Sequence, residues 1–169
     1  DFLPLAFVAQ APFFLVVNPS VPVHSVADLI ALAKAKPKHL SYGSSGPGSV
    51  PHIFMELFTG LAGIEMVHVP YKGAAPAVQD LVAGHVSMVF DTVAFSTTQV
   101  TAGRLRGLAV VADQRAPVLP DVPTVSEAGL PEMRGSPWFG LVVPSKTPRA
   151  IIDWINREAN KAFTAPDVR

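Results

Sequence analysis

The chain has 169 residues, with 13 Lys and Arg against 13 Asp and Glu, a formal net charge of zero. That balance argues against nucleic acid, whose binders neutralise phosphates with a basic surface, and no polybasic run suggests a membrane-surface switch. Only 15% of residues are charged and 49% are hydrophobic, so the chain is not disordered and is able to bury a sizeable core. Cysteine is absent, which excludes disulfides, thiolate metal sites and a cysteine nucleophile. The longest unbroken apolar runs, such as Phe13 to Val17, fall far short of the roughly 18 residues that suggest a membrane span. No signal peptide pattern is visible. A sequence that starts at Asp1 and stops in the polar, turn-like Ala165-Pro166-Asp167 reads as processed or as part of something longer.

Phe13 to Val17 reads as a buried strand closed by Asn18-Pro19. Ser25 is placed as an N-cap with Asp28 three residues on, a carboxylate variant of the capping box. The helix it opens carries Leu29, Ile30, Leu32 and Ala33 and stops before Pro37. His39 to Tyr42 is a short strand that runs into Gly43-Ser44-Ser45-Gly46-Pro47-Gly48-Ser49. A helix follows, with Ile53, Phe54, Leu57, Phe58 and Leu61 on one face and Gly63 as its stop. Ile64 to Val69 is a strand, Tyr71 to Ala74 a loop, and Ala75 to Ala83 a helix closed by Gly84. Val86 to Phe90 is a strand, followed by a helix near Ala94 to Ala102 closed by Gly103. Leu105 to Ala112 is another strand.

Strands alternating with short helices point to a parallel sheet with helices on its faces. Beyond it the texture changes. Asp113 to Pro137 holds Pro117, Pro120, Pro123, Pro131 and Pro137, with a short helix expected over Thr124 to Gly129, capped by Thr124 or Ser126. Trp138 to Val143 is a strand. Thr147-Pro148 opens a final helix, with Thr147 as N-cap, Pro148 at the first helical position and an apolar face of Ile151, Ile152, Ile155 and Phe163. The two ends lie outside the central α/β unit. They predict either a second, incomplete lobe or two segments docked on one sheet.

The Gly43 to Ser49 loop is the most informative stretch. It sits where a strand hands over to a helix, and open α/β sheets bind ligands outside the carboxyl ends of their strands. Its glycines let backbone approach a ligand, and the free N–H groups of a helix start favour an anion. Ser44, Ser45 and Ser49 add hydroxyls, although Ser49 equally suits a plain N-cap. Named motifs fail here. A P-loop needs Lys after its last Gly, where Ser49 stands. The dinucleotide fingerprint needs a small residue at Pro51. The nucleophile elbow needs Gly at Pro47. Tyr71-Lys72-Gly73-Ala74 repeats the strand-to-helix position: Lys72 would balance an anion, or simply stand solvated beside a half-buried Tyr71. Asp91 would bind a ligand amine or cap a turn.

Ser44 or Ser49 with His52 and Asp91 imitates a nucleophile, base and orienter, but such a triad is defined by geometry rather than by sequence. His24, His39, His52, His68 and His85 are scattered without metal-ligand spacing, so no metal site is expected. A serine hydrolase and a non-binding interaction module therefore stand as alternatives to ligand binding.

Three stretches in this order carry a family resemblance: Tyr42-Gly-Ser-Ser-Gly-Pro-Gly-Ser-Val-Pro-His52, Val69-Pro-Tyr-Lys-Gly-Ala-Ala-Pro-Ala77 and Leu119-Pro-Asp-Val-Pro-Thr-Val-Ser-Glu-Ala-Gly129. With Val86 to Asp91, Leu105 to Val111 and Trp138-Phe-Gly140, the chain resembles the solute-binding receptors of tripartite tricarboxylate transporters, the Bug or TctC-like family.

The resemblance implies a periplasmic, two-lobed, type II binding-protein-like α/β fold, with a parallel-rich sheet and flanking helices. It implies no enzyme, no cofactor and no membrane embedding. The ligand would be a small organic acid (a di- or tricarboxylate, an acidic amino acid or an aromatic carboxylate) passed to a membrane permease. Carried over by motif, Gly43, Ser44, Ser45, Gly46, Gly48, Ser49 and His52 form one side of the ligand site. Tyr71, Lys72, Gly73 and Ala74 form the adjoining loop, and Asp91 lies near the distal end. The family pattern has an export signal and a first-lobe segment that this sequence lacks. It thus implies one near-complete lobe, residues 18–136, flanked by stubs of the other at 1–17 and 137–169, with a homodimer through the truncated face as a further expectation.

Overall fold

The structure is a computed structural model that describes residues 1–135 and 137–165. Ser136 and the terminal Pro166-Asp167 expected in a turn lie outside the described residues. The chain divides into two compact units, Pro12–Ser136 and Asp1–Ala11 with Pro137–Arg169.

The larger unit is built on a five-stranded sheet. Its strands are β2 (Phe13–Val17), β3 (Ser41–Ser44), β4 (Val67–Pro70), β5 (Met88–Thr92) and β6 (Arg106–Val111), in the order β4-β3-β5-β2-β6. β3 pairs in parallel with both β4 and β5. β2 runs antiparallel to both its neighbours, with Leu15 opposite Phe90 on one side and Ala109 on the other. The sheet is therefore parallel-rich with one reversed strand inside it.

β2 explains the layering. All five of its residues are buried, and alternation sends them to opposite faces. Phe13, Leu15 and Val17 enter one core with Leu29, Met55, Phe58 and Met133. Phe14 and Val16 enter the other with Ala77, Leu81, Val93 and Leu119. Each large side chain so buried contributes about 1.5–3 kcal/mol. The sequence groups this strand with the first lobe; in the structure it is an interior strand of the larger unit's sheet, between β5 and β6, and the division falls at Ala11 and Pro12.

Four helices cover this sheet: α1 (Val26–Ala35), α2 (Val50–Ala62), α3 (Ala74–Ala83) and α4 (Val93–Thr101). α1 starts as expected, with the Asp28 N–H donating to Ser25 Oγ at 3.1 Å and Asp28 Oδ2 accepting from the His24 N–H at 3.0 Å. These bonds hold the Asp28 carboxyl below its usual range. Gly63 and Gly84 end α2 and α3 in the left-handed conformation that glycine adopts without strain.

The buried face of α2 differs from expectation. Pro51, Met55, Phe58 and Ala62 face the core, while Ile53, Leu57 and Leu61 are exposed. The helix is apolar nearly all round, so periodicity offers two stripes, and packing of Phe58 against Phe90 selects the second. Thr124 to Gly129 forms turns rather than a helix. Thr124 and Glu127 do exchange capping bonds of 2.8 and 3.1 Å, but left-handed Gly129 and then Pro131 stop propagation.

The smaller unit pairs β1 (Phe2–Gln10) antiparallel with β7 (Trp138–Pro144), with α5 (Arg149–Phe163) beside them. Pro148 takes the N-cap position of α5, one residue later than expected for Thr147. Ile152, Ile155 and Phe163 are half-buried, whereas Ile151 is exposed.

Candidate functional site

β3, β4 and β5 run in one direction, so their carboxyl ends share an edge of the sheet. Each passes directly to a helix: β3 to α2, β4 to α3 and β5 to α4. The first N–H groups of a helix have no acceptor within it, and the helix dipole adds partial positive charge there. An open cleft lies on this edge, lined by Gly43, Ser44, Ser45, Pro51, Ala74, Ala77, Val78, Val89, Phe90 and Asp91.

Five of the expected ligand-site residues, Gly43, Ser44, Ser45, Ala74 and Asp91, thus meet around one cavity. Gly43 and Ser44 are the last residues of β3 rather than loop residues, because the strand sits two positions later than the sequence suggested. The Tyr71 N–H donates to the Ser44 carbonyl at 3.0 Å and the Gly73 N–H to the Ser45 carbonyl at 3.3 Å, tying the two loops together. Gly46 and Gly73 hold φ of 127° and 120°, a region closed to side-chain-bearing residues.

The remaining expected residues stand around this centre. The Ser49 N–H and hydroxyl both donate to the Gly46 carbonyl, at 3.2 and 2.7 Å. The Gly48 N–H donates to His52 Nδ1 at 3.0 Å. The Tyr71 hydroxyl donates to Asp80 Oδ2 at 2.7 Å. Burial, and then that bond, push the Tyr71 phenol up to about 12, while the same bond holds Asp80 below its ordinary value. Lys72 is exposed beside the cleft loops.

Asp91 is buried within β5 instead of capping a turn. Its Oδ2 accepts from the Ser96 hydroxyl of α4. Burial raises its pKa, against the pull of the Ser96 hydroxyl and the Thr92 backbone.

His68 and Glu56 stand beside these residues, and sequence reasoning missed them. Tyr42 of β3 lies opposite His68 of β4 in the parallel register. Alternation then puts Ser44 on their face, where Ser44 Oγ lies 2.7 Å from His68 Nε2. His68 stacks on Tyr42 at 4.8 Å and on His52 at 4.2 Å between ring centroids. Glu56 accepts the Tyr42 hydroxyl and lies 3.9 Å from His52 Nε2. Burial, and next the neighbouring His52, lower the His68 pKa, with Glu56 opposing. No spacing signal announces this group, since strand register brings it together.

The serine–His52 pairings of the hydrolase alternative do not form. His52 Nδ1 is occupied by the Gly48 amide, Ser49 donates to Gly46, and Ser44 meets His68 instead. Among the described residues, no group of three His, Cys, Asp or Glu is placed to hold a metal ion, and no helix is long and apolar enough to cross a membrane.

Helices starting around an open cleft at the carboxyl edge of a parallel-rich sheet define a solute-binding α/β lobe of the periplasmic-binding-protein type. Over residues 1–169 the chain matches the tripartite tricarboxylate transporter family receptor, TctC, and it belongs to that family. It is 41% identical over 169 residues to the UPF0065 protein in the tcbD-tcbE intergenic region of Pseudomonas sp. (strain P51), covering 99% of this chain and 50% of that one. With protein BugT of Bordetella pertussis it shares 36% identity over 168 residues, 99% of this chain and 52% of the relative.

Among solved structures, R. palustris Rpa4515 with adipate superposes with a TM-score of 0.92 at 39% identity, over 99% of this chain and 56% of that one. MatC from Rhodopseudomonas palustris with bound malate gives 0.95 at 31% identity, over 100% and 57%. The chain thus spans about half the length of these relatives. Its family is one of receptors, not enzymes.

Proposed function

We propose that this chain is the ligand-binding lobe of an extracytoplasmic, periplasmic receptor that captures a small organic acid for the membrane permease of a tripartite transporter. The observation that carries this reading is the cleft itself. Gly43, Ser44 and Ser45 from one strand-to-helix junction and Ala74 from the next face a common cavity. A carboxylate placed there meets unpaired helix-start N–H groups and the Ser45 hydroxyl. Gly46, Gly48, Ser49 and His52 shape the first loop, and Tyr71, Lys72 and Gly73 the second, with Lys72 adding long-range attraction. Asp91 faces the distal part of the ligand.

The ligand class is a di- or tricarboxylate, an acidic amino acid or an aromatic carboxylate. The adipate and malate held by the two solved relatives support a dicarboxylate first. Binding involves no bond chemistry. In the whole receptor, lobes close around the ligand because the closed state binds it better.

The test is a thermal melt of the chain with succinate, malate, adipate, citrate, glutamate, aspartate and nicotinate. A ligand at a hundred times its dissociation constant adds about 2.7 kcal/mol to the folded state. A selective rise in Tm supports the reading and names the class. A clean melt that no acid moves, both for this chain and for a receptor-length protein, refutes it.

A further inference from the structure

The cleft loop is held from behind by an imidazole whose protonation state is dictated by what it touches. The Gly48 N–H donates to His52 Nδ1 at 3.0 Å, so Nδ1 offers it a lone pair. His52 is therefore neutral, with its proton on Nε2, the atom that lies 3.9 Å from Glu56 Oε1. We propose that His52 is a positioning residue for the ligand loop: as a neutral imidazole it fixes the loop through the Gly48 amide, and on protonation it releases the loop and with it the carboxylate.

A proton added at Nδ1 would face the Gly48 N–H, donor against donor. Gly48 holds φ of 75°, a conformation that glycine adopts without strain. Besides the His52 bond, the loop is tied at Ser49 and Gly46 by their bonds to the Gly46 carbonyl and to Ser44 Oγ. Loss of the Gly48 bond frees the segment between these ties.

The groups facing His52 come from each packed element. Glu56 lies one turn along α2, Tyr42 stands on β3 and His68 on β4. Glu56 favours a cationic His52. His68, stacked face to face at 4.2 Å, opposes it, because two charged imidazoles at that separation repel. The depressed basicity of His68, caused first by its burial, keeps this second ring neutral further into acid. His68 also fixes the His52 ring plane by stacking while its own Nε2 engages Ser44. Both ends of the loop thus depend on a single stacked pair of imidazoles.

The ligand arm of the test rests on the carboxylate-binding reading; the other arm does not. In ligand-free, nitrogen-labelled protein, NMR should show His52 Nδ1 unprotonated at about pH 7.5. The Gly48 amide should shift and lose exchange protection in step with the His52 ring as the pH falls to about 5. A protonated Nδ1 at neutral pH, or a Gly48 amide indifferent to the ring titration, overturns the inference.

In the ligand arm, calorimetry with succinate should show weaker binding at the lower pH. His52→Asn, whose amide oxygen can accept the Gly48 N–H without titrating, should lose only what proton uptake by succinate itself explains. His52→Leu should bind weakly at both values. Equal pH dependence in the parent and His52→Asn also overturns the inference. If no carboxylate binds at neutral pH, the proposed function fails, and the ligand-free arm still decides the role of His52.

Discussion

Gly43 of β3 and Val89 of β5 touch across the parallel pair so closely that a Cβ at position 43 would come within 3.1 Å of Val89 Cγ1. The same atom would lie 3.3 Å from Tyr71 Cε2 and 3.5 Å from Ala77 Cβ. Val89 is buried, and Tyr71 is anchored through its hydroxyl to Asp80, so neither neighbour yields freely. Gly43→Ala should destabilise by about 1–3 kcal/mol, the usual cost of overpacking. It should also weaken carboxylate binding, because the methyl pushes on the cleft wall. A denaturant midpoint and a titration check the two effects, and an unchanged midpoint would show that the sheet absorbs the methyl.

Asp91 gives a pH-dependent prediction. Its folded pKa is raised by burial above the unfolded value. Between the two values the folded state holds more protons, so stability is lost as pH rises through that window, and the penalty persists at neutral pH. Asn at this position keeps the shape, accepts the Ser96 hydroxyl and carries no charge. Asp91→Asn should therefore raise Tm at neutral pH, with the gain shrinking on acidification below the carboxylate range. Melts at the two extremes test this, and a lower Tm at neutral pH would assign the charge a stabilising role.

Asn18 ties β2 to α3. Its Nδ2 donates to the Leu81 carbonyl at 2.7 Å and to the Val82 carbonyl at 3.3 Å, while Oδ1 accepts from the Ser20 N–H at 2.9 Å. Two of these acceptors belong to the last turn of α3, where carbonyls run out of partners within the helix, although the Leu81 carbonyl also takes the Gly84 N–H at 3.1 Å. Asn18→Ala should cost about 1–3 kcal/mol for the orphaned groups. Hydrogen exchange should then show faster opening at the end of α3 and around Gly84, ahead of the rest of the sheet.

The smaller unit predicts an association behaviour. Phe2, Phe7, Trp138, Phe139, Val142 and Trp154 are all exposed. Exposed large apolar side chains in this number favour contact with another apolar surface. This chain alone should self-associate as its concentration rises, measured by sedimentation velocity. Replacing Phe7 and Trp138 by Thr should shift it toward monomer, and a parent chain that stays monomeric throughout would contradict the expectation.

Local chemistry made much of the fold legible. Phe13 to Val17 was readable as a strand because its five apolar residues meet Asn18-Pro19. Ser25, Gly63 and Gly84 announced helix ends through caps that act within a few residues. What failed depends on tertiary choice. α2 has two apolar stripes, and only the aromatic packing of Phe58 on Phe90 decides between them. β3 and β5 each extend two residues beyond expectation, which moved Ser44 and Asp91 from loop to buried strand. The Gly43 to Ser49 loop was found from its glycines and its position before a helix. His68 was not, since nothing local says that it lies opposite Tyr42. The antiparallel direction of β2 was likewise invisible, because a strand buried on both faces reads the same in either direction.

That reversed strand also dictates an order of assembly. Leu15 finds its partners at Phe90 and Ala109, so an interior strand of the sheet is contributed by a segment made before both of its neighbours. During synthesis, the fully apolar Phe13–Val17 must wait, unpaired on both edges, until β5 and then β6 have emerged. Such long-range closure slows folding and leaves a sticky intermediate. A nascent chain stalled between Thr92 and Val111 would carry β2 with one edge still open, a natural seat for a chaperone.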